Sequence, residues 1–176
     1  MRPASAMLSL PDASAPGPRF VPLAPARGAP VRGRRLFLLT RARNSATDGG
    51  RIRAATARPS ARGRHGVVIV VNEVFGIHDY IKDVCRRFAR EGYVAIAPDY
   101  FDRAGDPAPL TDFNAIRQIV GTANNEQVMA DTQGAITWLK AQSFVKGDAI
   151  GITGFCWGGS VVWMAAARFA DIKIGR

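Results

Sequence analysis

Val67-Val68-Ile69-Val70-Val71 places five β-branched apolar residues in a row, the pattern of a strand covered on both faces of a sheet. Beyond it, Ile81, Val84, Cys85 and Phe88 recur at helical spacing between Asp79 and Gly92, so an amphipathic helix should lay its apolar stripe on that sheet. Tyr93-Val94-Ala95-Ile96-Ala97 predicts a second strand, ended by Pro98-Asp99. Two helical stretches follow, around 113–120 and 128–141; the second keeps Val128, Thr132, Ala135, Ile136 and Leu139 on one face. The pattern then predicts a strand over 149–153, a helix over 157–170, and the first residues of a further strand at Ile172-Lys173-Ile174. Upstream, Asp48-Gly49-Gly50 reads as a turn, and residues 51–58 alternate weakly enough to suggest an edge strand.

Strands and helices alternate, which predicts an α/β fold: a mostly parallel sheet with helices on both faces. Sites in such sheets form beyond the carboxyl ends of the strands. Three segments fall there, residues 72–76, 98–103 and 154–159, and they should converge on one cleft.

Charge changes the picture only after it is divided along the chain. The net +10 over 176 residues suggests a nucleic-acid or membrane partner. Residues 1–64, however, hold thirteen of the 24 basic residues and only Asp12 and Asp48 as acids, a balance of +11. The remainder, with eleven bases against twelve acids, balances at −1. Residues 1–47 therefore read as a disordered, basic Pro/Ala/Arg-rich leader that buries too little apolar surface to order itself, and residues 48–176 as the globular domain. The leader lacks Lys, and its aromatics are only Phe20 and Phe37, a poor match to nucleic-acid binding. No apolar run is long enough to span a membrane, so neither partner is expected. Arg34-Arg35-Leu36-Phe37-Leu38-Leu39 resembles the start of a twin-arginine export signal, but Arg41 and Arg43 cut its apolar region short. Two cysteines make no disulfide framework, and reduced thiols in a cytoplasmic protein are the expectation.

The candidate chemistry lies in Gly154-Phe155-Cys156-Trp157-Gly158-Gly159, where a predicted strand turns into a helix. Gly-x-Cys-x-Gly is a nucleophile elbow with a thiol at its apex. The tight turn leaves no room for side chains at Gly154 and Gly158, and the helix that follows aims free N–H groups and its positive dipole end at Cys156. A helix N-terminus favours the thiolate, the reactive form.

Taken in order, Asn72-Glu73-Val74-Phe75-Gly76, Ile81-Lys82-Asp83-Val84, residues 91–98 and the elbow resemble the dienelactone hydrolase family of the α/β-hydrolase fold, from about residue 48 to 176. The resemblance implies a hydrolase that opens a small lactone or ester, with Cys156 as nucleophile and an acyl-thiol intermediate. It implies an oxyanion hole from the backbone N–H groups of Val74 and Trp157, Glu73 as the carboxylate that contacts the resting thiol, and Arg103 as the group that binds an anionic substrate. No metal or cofactor is implied, and the oligomeric state is left open. In α/β-hydrolases an acid and then a histidine follow the nucleophile in chain order. Here the histidines are His65 and His78, both before it. The expectation is thus a hydrolase domain incomplete at its C-terminus and inactive as it stands, or a non-enzymatic hydrolase-fold fragment.

Plainer readings compete at several positions. Cys156 could be a small packing residue, and Cys85 reads as core. Glu73 could cap the following helix, Asp99 and Asp102 could serve the turn, Arg103 could be a solvated charge, and His78 an exposed residue at a helix start. Trp138 and Trp163 read as core, and Trp157 as a neighbour of the cleft. Thr153-Gly154 through Gly159 also resembles a dinucleotide-binding turn, but such a turn follows the first strand of its domain, not the third. A glutamine amidotransferase elbow usually has Gln where this chain has Ser160.

Overall fold

The computed structural model describes residues 37–39 and 53–175. Among these described residues six strands, β1 (Phe37–Leu39), β2 (Ala54–Arg58), β3 (His65–Val71), β4 (Val94–Pro98), β5 (Val145–Gly154) and β6 (Ile172–Gly175), form one sheet in the order β1-β2-β4-β3-β5-β6. β4, β3, β5 and β6 are parallel, whereas β2 runs antiparallel to both of its neighbours, β4 and β1. The helices among the described residues are α1 (Asp79–Arg90), α2 (Phe113–Val120), α3 (Asn125–Lys140) and α4 (Trp157–Arg168).

The side-chain alternation of the strands sorts the core into two layers. Val67, Ile69 and Val71 of β3 and Val94 and Ile96 of β4 pack with α3 and α4 on one face. Val70, Ala95 and Ala97 pack with Ile81, Val84, Cys85 and Ala89 of α1 on the other. That second face is built from small residues, with Ala55 and Ala57 of β2 added, so α1 lies close against the strands. Burying each Ile or Val contributes about 1.5–3 kcal/mol.

Local signals set the helix starts. The Asp112 side chain accepts from Asn114 N at 2.9 Å to open α2, and Asn124 accepts from Gln127 N at 2.9 Å to open α3.

Several expectations are corrected here. Residues 54–58 form an interior strand, not an edge: four of them are buried, and alanines fit because helix α1 needs the space. Phe37–Leu39, assigned to the leader, pairs with β2 through an apolar triplet. The rest of the leader, and the turn at 48–50, lie outside the described residues. Trp163 is 81% exposed, because α4 meets the sheet through Val161, Val162 and Ala165 and residue 163 points away. Trp138 is partly buried against the larger core. Ile172 does begin a strand, β6, parallel to β5.

Candidate active site

The carboxyl ends of β3, β4 and β5 meet around the elbow. β5 ends at Gly154, Phe155 N donates to Val71 O at 3.4 Å, and α4 starts at Trp157. Cys156 between them has φ 52° and ψ −115°, the positive-φ residue among the described non-glycines. A side chain in that region is strained and persists only where its surroundings fix it. The two glycines do the fixing. A Cβ on Gly154 would lie 2.5 Å from Gly158 O, and one on Gly158 would lie 2.7 Å from Asn72 O and 2.8 Å from Val71 O. Close backbone approach thus requires both glycines, as the sequence predicts, and it also joins the elbow to the start of the 72–76 loop.

Cys156 is exposed, and its backbone forms the N-cap of α4 without a side-chain cap. Its carbonyl accepts from Gly159 N at 2.9 Å, and Gly158 N donates to Phe155 O at 2.8 Å. The N–H of Trp157, first in the helix, has no intrahelical partner. Neither it nor the N–H of Val74 is spent on another hydrogen bond among the described residues. The Trp157 ring is wedged against Phe101 at 4.9 Å and Tyr100 at 5.9 Å between centroids, which ties the 98–103 loop to the elbow. The three segments do converge. Phe75, Tyr80 and Phe155 are exposed apolar rings on this side, with Tyr80 edge-on to Phe155 at 6.3 Å.

Two polar groups are arranged differently from expectation. Glu73 does not bond the thiol: its Oε1 accepts from His78 Nε2 at 2.9 Å, and its buried Oε2 has no hydrogen-bond partner among the described residues. His78 is only five residues away across a tight loop, so it competes successfully for the carboxylate. His78 itself is the N-cap of α1 and largely sheltered, so neither helix capping by Glu73 nor full exposure of His78 holds.

Arg103 turns its guanidinium fork onto Asp131 of α3, with Nη1–Oδ2 at 2.8 Å and Nη2–Oδ1 at 2.9 Å. A planar fork bonded to both oxygens of a carboxylate has its bidentate edge occupied. Asp131 is 2% exposed and also accepts from Gln127 Nε2 at 3.2 Å. This partner was missed; the available signal was a charge beside the apolar face at Val128, Thr132 and Ala135.

Asp99 and Asp102 do shape the turn after β4, since Asp102 N donates to Asp99 O at 3.3 Å. They also clamp Arg53: Asp99 Oδ2 lies 3.3 Å from Nη2, and Asp102 bonds both Nε and the backbone N. Burial pushes the Asp99 carboxyl up to about 6, against the pull of Arg53.

No group of His, Cys, Asp and Glu able to hold a metal occurs among the described residues. No described helix is long and apolar enough to cross a membrane.

Comparison with known proteins bears on this geometry. The family model for the dienelactone hydrolase family matches residues 52–174. A Methylorubrum extorquens protein bearing the name "Putative carboxymethylenebutenolidase" is 41% identical over 127 residues, covering 72% of this chain and 44% of its own length. A Salmonella typhi protein of the same name is 42% identical over 131 residues, covering 72% and 47%. The crystal structure of a "Putative Dienelactone Hydrolase" from Klebsiella pneumoniae superposes with a TM-score of 0.72 at 37% identity, covering 80% of this chain and 58% of that one. The chain spans about half the length of the curated relatives it matches.

Proposed function

The chain belongs to the dienelactone hydrolase family, and on that premise we propose that it carries the acylating half of a cysteine-dependent hydrolase acting on a small lactone or ester. The observation that supports this most is the setting of Cys156: exposed, at positive φ, at the start of α4, between two glycines that tolerate no Cβ.

In this reading Cys156 Sγ attacks the carbonyl carbon of the substrate. Charge collects on the carbonyl oxygen, where the N–H groups of Val74 and Trp157 stabilise it, each such donor supplying about 3–4 kcal/mol. The intermediate collapses by breaking the C–O bond, the leaving oxygen takes a proton, and an acyl-thiol remains for water to hydrolyse. Glu73, released from His78, is the carboxylate that lies nearest in the chain to the Val74 donor. A substrate with a carboxylate was expected because of Arg103, and that expectation loses its support with the Arg103–Asp131 pair.

General-base assistance is worth roughly 10²–10⁴-fold. His65 starts β3 at the far end of the sheet, and His78 is bonded to Glu73, so neither is assigned as the base. The base is assigned instead to the part of the relatives' length that this chain does not match, and residues 1–176 should acylate but turn over poorly. Mixing the protein with p-nitrophenyl acetate tests this. The expected result is about one equivalent of p-nitrophenol per chain and a stable acetyl group located on Cys156 by mass spectrometry. Acetylation elsewhere, or an unchanged burst in Cys156→Ala, overturns it.

A further inference from the structure

At the end of the sheet opposite Cys156, the turn from β2 to β3 and the start of β5 enclose a cleft of about 380 Å³. Its lining residues include Arg58, Arg62, Arg64, His65, Ser60 and Ser143, with no Asp or Glu among them. β3 is 7 residues long, and at about 3.3 Å per residue it separates this cleft from the elbow by roughly 20 Å. A molecule bound here does not touch the nucleophile.

The cleft is built, not merely charged. The Arg58 guanidinium carbon sits 4.8 Å from the centre of the Phe144 ring, which fixes its plane. Arg64 Nε donates to Val145 O at 2.9 Å, which ties its guanidinium to the start of β5 and leaves its terminal nitrogens outside that bond. His65 Nε2 lies 3.2 Å from Ala61 O, which makes Nε2 the donor and leaves Nδ1 as an acceptor in the neutral ring. Gly63 takes φ 117°, a backbone value open to glycine and rarely adopted by other residues. Neither Arg62 nor Arg64 pairs with a carboxylate among the described residues. Arg58, Arg62 and Arg64 belong to the basic 1–64 segment, and the sheet sets them as a positive spot against a remainder that balances at −1. Like charges lining one concave cleft raise the local potential, and concave walls of low dielectric focus that field on an incoming anion.

Planar guanidinium forks match the oxygens of a phosphate better than a single ammonium does. The cleft has room for more than the phosphate itself, and its apolar wall is Phe144 and Pro59. We propose that this cleft binds a small organic phosphate monoester, with the phosphate on Arg62 and Arg64 and the organic part against Phe144. The assignment goes beyond the hydrolase reading and does not depend on it.

Isothermal titration of the full chain, at fixed ionic strength in a chloride buffer, tests the proposal with inorganic phosphate and glucose 6-phosphate as probes. One saturable site is expected, tighter for the ester than for inorganic phosphate. Arg62→Ala with Arg64→Ala should weaken the ester at least about tenfold, since each fork supplies charge-assisted bonds. The single change Arg62→Ala, in an exposed loop, should weaken it in the same direction with an unchanged circular dichroism spectrum. Arg27→Ala with Arg32→Ala removes the same charge from the leader and should leave the affinity unchanged. No saturable binding, equal affinity for the two probes, or equal losses in the cluster and leader variants would each overturn the proposal.

Discussion

Cys85 and Cys156 are the same side chain in two settings. Cys85 lies on α1 at 0% exposure, in relaxed helical backbone, packed against the alanine-rich face of the sheet. Burial pushes its thiol up to about 12. Cys156 sits exposed at the start of a helix, in backbone that side chains rarely adopt. The contrast teaches that reactivity here is a property of position. What a cysteine can do is decided by the strand end, the glycines and the helix terminus around it, and these are absent around Cys85.

The largest effect should come from testing the contrast directly. The rise of the Cys85 thiol from 9.0 to about 12 lowers its thiolate fraction on the order of a thousandfold, before access is counted. Iodoacetamide at pH 8 should therefore label Cys156 at least about a thousandfold faster than Cys85, read by peptide mass spectrometry. Comparable rates at the two sites would erase the distinction.

Next in size is a change that moves Cys156 toward the ordinary. Gly154→Ala places a Cβ 2.5 Å from Gly158 O, and the backbone must shift. We expect a loss of about 3 kcal/mol in urea unfolding and slower alkylation of Cys156, with Cys85 unaffected. Normal stability and labelling would show that the glycine pair does not hold the elbow.

Asp99 asks whether burial also governs the reactive end. Its folded carboxyl titrates near 6 against 3.8 for the free group. Because the folded value is the higher one, its contribution to stability is present below about pH 3.8 and is lost as pH rises through 6. A shift of this size corresponds to about 3 kcal/mol at most, reduced by the flexible, half-exposed Arg53 beside it. Chemical unfolding between pH 4 and 6 should show a falling slope in the wild type that Asp99→Asn flattens; an identical slope in both would remove Asp99 as its source.

Arg103→Ala leaves the buried Asp131 carboxylate without its fork and should cost about 2 kcal/mol, while leaving Cys156 alkylation unchanged. Stability equal to wild type would restore Arg103 as a group available to substrate. The smallest effect is Cys85→Ala, a small cavity costing about 1 kcal/mol in urea unfolding with no change at Cys156. A large loss of Cys156 labelling in that variant would couple two sites that the structure keeps on different elements.

Much of the fold was legible because its signals are local. Five β-branched residues at 67–71 announced a doubly covered strand, and the spacing of Ile81, Val84 and Cys85 placed α1. The 54–58 strand was misjudged as an edge because alanine carries a weak strand signal, and its burial depends on how closely α1 approaches. Trp163 was misjudged because hydrophobicity alone does not say which side of a helix meets the sheet. At the site, the elbow cysteine and its flanking glycines follow from the motif, but Glu73–His78 and Arg103–Asp131 do not.

The sequence by itself determined the alternation of strands and helices, the elbow at Cys156 and the family, since each rests on residue type and short spacing. Only the tertiary structure decided which charges meet. Asp131 lies 28 residues from Arg103, and Arg53 lies 49 from Asp102. The basic cleft likewise joins 58–65 to Ser143 and Phe144. Such partners are set by the distance and direction of side chains across packed elements, and neighbours in the chain carry no record of them.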